Sequence, residues 1–329
     1  MRLLIVFFLA NLTLSIVANC QESRKYTTSD TYSRGILCVN NRIFTSNANG
    51  SIYRINWDKP IEDTSLYFGT TELRDIAFIN NQLFAMESGE KGILHRKDKT
   101  SKDTLKQLYS LAPNVFFDGM DNYGSTLFVM GDPINKIFSL FSSSDCGQTW
   151  KKIDGLESLE GEAGFAASGT NVQALDDSTF VFVSGGNLSR FFKSTNAGEN
   201  WSVANLPFKS GSTSSGAFSI HMKDKEFGIV VGGDYEAPKE NVQNCFITRD
   251  GGITWSSPSK NPNGYRSCVI EKNGIWYCCG TNGLDFSADN GQTWLQLSST
   301  EFFTLTTDDY YVYATAKKGL LYRFKLIQP

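Results

Sequence analysis

Three arginines, Arg34, Arg74 and Arg266, lie beside apolar segments of this 329-residue chain. Their planar guanidinium groups can bind a carboxylate, sulfate or phosphate through paired hydrogen bonds. Other residues near such segments could bind the hydroxyl groups of a sugar or transfer protons; they are Asp75, Asp118, Asp132, Glu162, Asp234, Tyr235 and Tyr265. Two interpretations stay open: a polar ligand pocket, or ion pairs whose role is structural.

Other kinds of chemistry have no support in the sequence. The two histidines, His95 and His221, have no cysteine or carboxylate cluster at metal-ligand spacing, and no Ser-His-Asp or Cys-His arrangement is visible. The glycine motif of dinucleotide sites, the haem-attachment motif and a flavin signature are all absent, so we predict no metal and no cofactor. A formal net charge of −3 without a basic stripe argues against nucleic-acid binding.

Four turns between residues 143 and 294 share the pattern Ser/Thr-x-Asp-x-Gly-x-Thr-Trp, which we call the Asp-box turn. The Asp and Ser/Thr side chains can accept hydrogen bonds from turn amides, the Gly permits a positive φ, and the Trp buries a large ring. In the second turn Asn196 replaces Asp and Asn200 replaces Thr, and Asn can still form the turn. The predicted structural residues are Asp145, Gly147, Trp150, Asn196, Gly198, Trp201, Asp250, Gly252, Trp255, Asp289, Gly291 and Trp294.

The repeat predicts an all-β fold, a seven-bladed β-propeller. Residues 34–44 and 74–84 match each other as an apolar strand, an Asn-Asn turn and a second strand. Similar strand groups begin near residues 34, 74, 116, 164, 216, 265 and 302, and six blades with one irregular blade is the alternative count. Residues 98–112 are either a short helix or a connection between blades. We expect one propeller domain at 31–329, preceded by a short linker at 21–30.

Strand order in a propeller places the candidate residues together. The first strand of each blade begins on the face where the second strand ends, whereas a turn between the third and fourth strands lies on the opposite face. The arginines, carboxylates and tyrosines named above therefore gather around one mouth of the central channel. The Asp-box turns are expected to brace the opposite face.

The N-terminus predicts export. Arg2 followed by the apolar run 3–10 is typical of a secretory signal, which we place at residues 1–20. A cleavage site before Cys20 and a lipobox that would lipidate Cys20 are both open, and such an anchor would be the membrane contact. We expect the protein to be periplasmic or extracellular.

Six further cysteines permit disulfides in an exported protein, but a propeller of this size has a large core without them. We expect most of them to be free and buried. If Asn273 and Gly274 form a two-residue turn, Cys268 and Cys279 face each other across a hairpin. The six are Cys38, Cys146, Cys245, Cys268, Cys278 and Cys279.

Several segments narrow the kind of propeller. The Asp-box turn also occurs in sialidases, sortilin-type receptors and many unrelated propellers. The chain resembles the secreted propellers grouped with photosystem II stability/assembly factors, and is most similar to bacterial relatives that often carry an oxidoreductase label. The resemblance implies a propeller and an exported protein, while the oxidoreductase label finds no motif here. The matching segments are 33–35, 74–76, 117–120, 131–133, 161–170, 216–219, 232–235 and 264–267.

These observations predict an exported, non-enzymatic propeller. It would bind a protein partner, as an assembly scaffold, or a small anionic or carbohydrate ligand at one face of the channel. One alternative is a glycoside hydrolase of sialidase type, with Tyr235, Glu162 and Asp118 as catalytic residues. The other is a purely structural envelope protein.

Overall fold

A computed structural model describes residues 21–27, 29–67, 69–97, 106–111 and 114–328. The predicted signal at 1–20, with Cys20, lies outside these residues. Of the segment 98–112, residues 98–105 and 112 also lie outside them, whereas Lys106–Ser110 form a strand rather than a helix. Within the described chain no helix has the length and apolar character needed to cross a membrane.

The described residues form 29 strands and two short 3-10 helices, at Pro60–Glu62 and Lys317–Gly319. The chain begins with β1 (Glu22–Lys25). The first blade contains β2 (Ser33–Val39), β3 (Arg42–Asn47), β4 (Ser51–Ile55) and β5 (Thr64–Tyr67). The second contains β6 (Leu73–Ile79), β7 (Gln82–Glu87), β8 (Ile93–Lys97) and β9 (Lys106–Ser110). The third contains β10 (Phe117–Tyr123), β11 (Thr126–Ile134), β12 (Ile137–Ser143) and β13 (Lys151–Ile153).

The fourth and fifth blades are interleaved in sequence. Next along the chain come β14 (Glu162–Ala163), β15 (Val172–Ala174), β16 (Phe180–Val183), β17 (Gly185–Gly186), β18 (Arg190–Ser194) and β19 (Ser202–Asn205). The fourth blade consists of β15, β16, β18 and β19. The short β14 and β17 pair with each other and extend the fifth sheet, whose other strands are β20 (Ser215–Met222), β21 (Gly228–Asp234) and β22 (Cys245–Thr248).

The last two blades complete the ring. The sixth contains β23 (Cys268–Lys272), β24 (Ile275–Gly280), β25 (Gly283–Ser287) and β26 (Leu295–Ser298). The seventh contains β27 (Leu305–Thr307), β28 (Tyr311–Ala316) and β29 (Leu320–Lys325). The innermost strands β2, β6, β10, β15, β20, β23 and β27 contact one another in turn, and β27 contacts β2. The structure confirms the all-β, seven-bladed prediction.

The N-terminal strand closes the ring. β1 pairs antiparallel with β29, with Glu22 opposite Arg323 and Lys25 opposite Leu320, so it is the fourth strand of the seventh blade. Residues Glu22–Lys25, which we expected to belong to a linker at 21–30, therefore form a strand of the propeller instead. The sequence of this strand has no apolar alternation that would predict it. The strand is held instead by backbone pairing and by the ion pair of Arg323 with Glu22 at 2.8 Å.

The hydrophobic cores lie between neighbouring blades. Phe128 of the third blade stacks on Phe180 of the fourth, with ring centroids 4.5 Å apart. Trp201 contacts Phe128 as well as Phe182, and Trp255 packs edge-on against Phe191 of the preceding blade at 5.3 Å. Aromatic rings of the Asp-box turns thus add to the packing between adjacent blades.

The Asp-box turns lie beside the turns that link first and second strands. In the fifth blade, the N–H of Gly251 donates to the carbonyl of Glu226 at 2.8 Å. The Thr254 hydroxyl and N–H donate to Asp250 at 2.6 and 2.9 Å, and these bonds lower the pKa of Asp250 to about 2. The Asp-box turns are therefore at the opposite face from the beginnings of the innermost strands.

The six cysteines of the described chain are unpaired. Cys268 does face Cys279 across the hairpin of β23 and β24, and Asn273 and Gly274 adopt positive φ of 54° and 83° in its turn.

Deleting residues 22–25 removes one strand ladder and exposes the edge of β29. We expect the free energy of unfolding to fall by about 2–4 kcal/mol, at roughly 1 kcal/mol for each net hydrogen bond. Replacing the same four residues by alanine keeps the backbone pairing and should cost clearly less. Chemical denaturation measures both variants. Equal stability of the deletion variant and the wild-type chain would show that the ring does not depend on β1.

Candidate functional site

One mouth of the channel opens into a cavity of about 470 Å³, which we call the mouth cavity. It lies where the innermost strands of several blades begin. Six predicted ligand-binding residues line it: Arg34, Arg74, Asp118, Asp132, Tyr235 and Tyr265. Aromatic rings form much of the remaining wall: Phe116, Phe165, Phe218, Phe302 and Phe303. These six residues therefore lie together at one mouth of the channel.

Two guanidinium groups share one carboxylate in this cavity. Glu72 Oε1 lies 3.7 Å from Arg34 Nε and 3.2 Å from Arg74 Nε. The Arg34 and Arg74 side chains are 26% and 22% exposed. Burial lowers the pKa of Arg74, and repulsion from Arg34 adds to this effect although Glu72 opposes it. The pair therefore carries positive charge in excess of its immediate counter-charge.

The same arginines hold a backbone segment across the channel. Arg34 Nη1 donates to the carbonyl of Ala167 at 3.1 Å, and Arg74 Nη1 donates to the carbonyl of Ala166 at 2.9 Å. We call residues 164–170 the plug. Within the described residues, Nη2 of neither arginine makes a hydrogen bond.

The plug is also tied to three other blades. The Gly164 N–H donates to Asp132 Oδ1 of the third blade at 2.9 Å, and the Ser168 hydroxyl donates to the Ser267 carbonyl beside the sixth blade at 2.6 Å. The Thr304 hydroxyl, beside the seventh blade, contacts the Ser168 carbonyl at 3.4 Å. Because one short segment contacts blades on all sides, it must lie across the ring axis. The fourth blade accordingly begins at Val172, later than the predicted start near 164.

Glycine lets the plug pass close to its neighbours. Gly169 has φ of +72°, and a Cβ added there would collide with the carboxylate of Asp75. A Cβ at Gly164 would collide with the carboxylate of Asp118. Below the plug, the channel continues as a second cavity of about 400 Å³, lined by largely apolar side chains together with Asp75, Asp121 and His221.

Asp75 and Asp234 lie outside the mouth cavity. Asp75 is buried and accepts the N–H groups of Ile76 and Met120, both at 2.8 Å, so it joins the second and third blades. Burial raises the pKa of Asp75 to about 8, although these two hydrogen bonds oppose the rise. Asp234 accepts the N–H of Glu236 at 2.9 Å within a turn.

Arg266 and Glu162 also lie outside the cavity, in buried ion pairs. Arg266 is fully buried, and its Nε donates to Asp285 Oδ2 at 3.0 Å. Glu162 accepts a hydrogen bond from Arg190 Nε at 2.8 Å, and its side chain is 0% exposed. The expected convergence of three arginines is thus corrected to two, because Asp285 on β25 draws Arg266 into its own blade.

A sialidase-type catalytic set is not assembled in the mouth cavity. Tyr235 and Asp118 line it, but Glu162, the expected partner of the tyrosine, is held by Arg190. Glu162 does not line the mouth cavity, so its carboxylate is not placed to act with Tyr235 on a substrate there.

Two carboxyl groups of the third blade, Asp118 and Asp132, also line the mouth cavity. Asp118 is 1% exposed, yet its Oδ2 has no hydrogen-bond partner. Burial and the charge of Asp132 raise the pKa of Asp118 well above its usual range, while Arg74 opposes this. Burial also raises the pKa of Asp132. Burial therefore favours the protonated form of Asp118, and a protonated carboxyl group can both donate and accept a hydrogen bond.

Sequence reasoning missed Glu72, the plug and the aromatic wall. Glu72 stands two residues before Arg74, a spacing that places both side chains on one face of an extended segment. The aromatic wall includes Phe165, which stacks on Phe218 at 4.0 Å, and Tyr265, which meets Phe218 edge-on at 4.8 Å. No local pattern marks residues 164–170 as a segment that crosses the channel.

Substituting Gly169 by alanine tests the fit of the plug. We expect Gly169→Ala to lower the free energy of unfolding by roughly 1–3 kcal/mol more than Gly211→Ala does, because only the first adds a collision. Gly211 is the matched control, since it has φ of +84° with no atom within 4 Å of an added Cβ. Chemical denaturation gives both values. Equal losses would contradict the close contact of Gly169 with Asp75.

Comparisons with known proteins agree with the fold. A family model described as sortilin, neurotensin receptor 3, matches residues 138–261. No curated protein matches the chain. The solved structure of U3-55K is similar with a TM-score of 0.65 and 10% identity, over 92% of this chain and 98% of that one. The WD40 β-propeller domain of Doa1 gives a TM-score of 0.64 at 8% identity, over 94% and 98% of the two chains.

Proposed function

We propose that this propeller is a binding module whose mouth cavity takes an anionic group of a partner protein or small ligand. A β-propeller fold suggests a protein-binding scaffold. The observation that carries the finer proposal is the pair Arg34 and Arg74, which line one cavity with a single carboxylate, Glu72, between them. An anion beside the two guanidinium groups would complete the local charge balance.

The hydrogen-bonding capacity of the arginines supports this proposal. Each already uses Nη1 on a plug carbonyl, so its position is fixed before a ligand arrives. Nη2 of each makes no hydrogen bond within the described chain. Hydrogen bonds between such groups and a carboxylate are charge-assisted, and each contributes about 1.5–3 kcal/mol. Pre-organised donors lose little conformational entropy on binding.

The aromatic wall indicates what accompanies the anion. Arg34 lies over the ring of Phe303 at 5.5 Å, and Arg74 lies over that of Phe116 at 5.7 Å. Rings that flank the guanidinium groups favour a ligand with an apolar or aromatic body next to its anionic group. The partial family match is to a model described as a receptor, which is consistent with a binding role.

We also propose that the protein acts outside the cytoplasm. The apolar N-terminal run and the resemblance to secreted photosystem II stability/assembly factors support an exported scaffold. In that setting the mouth cavity would meet ligands or partners outside the cytoplasm.

A carboxylate probe and its neutral amide test the anion site. We expect 3-phenylpropanoate to bind at least roughly tenfold more tightly than 3-phenylpropanamide, since tenfold corresponds to about 1.4 kcal/mol, less than one charge-assisted hydrogen bond. Arg74→Gln should remove this difference. Arg42→Gln, which removes a surface ion pair with Glu62, is the matched control and should keep it.

Ligand-observed NMR titration gives the affinities, and thermal unfolding checks that each variant is folded. If the amide binds the wild-type protein as well as the carboxylate does, the anion site is refuted.

A further inference from the structure

We propose that the ligand of the mouth cavity is a small zwitterion, whose ammonium group lies on Asp118 and Asp132 while its anionic group lies on Arg34 and Arg74. The inference rests on the anion site proposed above and adds a second, cationic subsite. The chemical class is that of a free α-amino acid with an apolar or aromatic side chain.

The carboxyl groups of Asp118 and Asp132 both lie next to Gly164. Asp118 lies on β10 and Asp132 on the neighbouring β11. Asp132 Oδ1 accepts the Gly164 N–H at 2.9 Å, and Gly164 also packs against the carboxylate of Asp118. Both side chains line the mouth cavity. A pair of acidic groups around one glycine can hold a compact group with several N–H donors.

The hydrogen bonds of this pair are incomplete. Asp118 is 1% exposed, and its Oδ2 has no hydrogen-bond partner. Leaving a buried polar atom unpaired costs about 1–3 kcal/mol, which a donor from a ligand would recover. An ammonium group has three N–H donors and no acceptor, so it suits two adjacent carboxyl groups.

The cationic and anionic subsites are neighbours. Asp118 and Arg74 both line the mouth cavity, and each lies near enough to affect the pKa of the other. A ligand that contacts both therefore needs its opposite charges close together, as they are on an α-carbon. The cavity volume of about 470 Å³ leaves space for a side chain against Phe116, Phe165 and Phe218.

A bound ammonium group changes the proton balance of the pair. In the free protein, burial and the nearby charge of Asp132 raise the pKa of Asp118 and so favour its protonated form. An ammonium group stabilises the carboxylate, so the Asp118 proton passes to solvent when the ligand binds. Affinity for the zwitterion should then rise with pH. The other titratable groups around the cavity are Arg34, Arg74, Glu72, Asp132, Tyr235, Tyr265 and Glu301.

Isothermal titration calorimetry of the full chain with four related probes tests the inference. The probes are L-phenylalanine, 3-phenylpropanoate without the ammonium group, 3-phenyllactate with a hydroxyl in its place, and 2-phenylethylammonium without the carboxylate. Each is titrated at pH 7 in Bis-Tris and in Tris, which differ in heat of ionisation and carry no anionic group that would compete for the anion site. We expect phenylalanine to bind at least roughly tenfold more tightly than phenylpropanoate and to release protons on binding.

Variants identify the group responsible. Asp118→Asn should remove both the advantage of phenylalanine and the proton release, while phenylpropanoate still binds. Asp121→Asn is the matched control on the same strand, because Asp121 faces the second cavity below the plug. Asp121→Asn should keep both properties.

The outcomes separate the two proposals. If phenylpropanoate binds but phenylalanine is no tighter and releases no proton, the zwitterion inference is overturned and the anion site stands. If phenyllactate binds as tightly as phenylalanine and releases no proton, the subsite binds a hydroxyl group rather than an ammonium group. That result would also overturn the inference. If no carboxylate probe binds wild-type protein, the anion site fails and the inference fails with it.

Discussion

The hydrogen bonds from Arg34 and Arg74 to the plug carbonyls determine what kind of propeller this is. Without them the channel would run through the ring from one face to the other. With them, residues 164–170 lie across the axis and divide the channel into the mouth cavity and a second, largely apolar cavity. The same two side chains thus close the channel and present positive charge to one face.

Charge balance follows from this arrangement. Two arginines brought side by side repel each other in a region of low dielectric constant, and Glu72 compensates for one of them. On the neighbouring third blade, burial and the charge of Asp132 raise the pKa of Asp118, which favours the uncharged form of this carboxyl group. The cavity is therefore polar at two places and aromatic elsewhere, which is a typical composition for a small-ligand site.

The fold was predictable because its signals are local. In the Asp-box turns and the Asn-Asn turns, residues a few positions apart determine the backbone path, and their repetition implies a ring of blades. The four-residue β1 escaped prediction because its strand depends on β29, about 300 residues away. The gathering of Arg34 and Arg74 at one mouth followed from strand order alone.

The details of the site depend on contacts that no local pattern specifies. Arg266 and Arg34 have similar positions at the beginning of innermost strands, yet Asp285 on β25 holds Arg266 inside its blade. Glu162 is likewise withdrawn by Arg190. The plug contacts six blades, so its path reflects long-range packing. Side-chain direction, rather than backbone topology, was the part that sequence could not supply.

A crystal structure of the protein with 3-phenylpropanoate would show directly whether Arg34 and Arg74 bind an anionic group in the mouth cavity. We expect the carboxylate of the probe to lie above the plug, with its oxygens about 2.7–3.1 Å from guanidinium nitrogens of both Arg34 and Arg74. The phenyl ring of the probe should lie against the aromatic wall. A probe bound in the second cavity, or bound in the mouth cavity with its carboxylate away from both arginines, would contradict it.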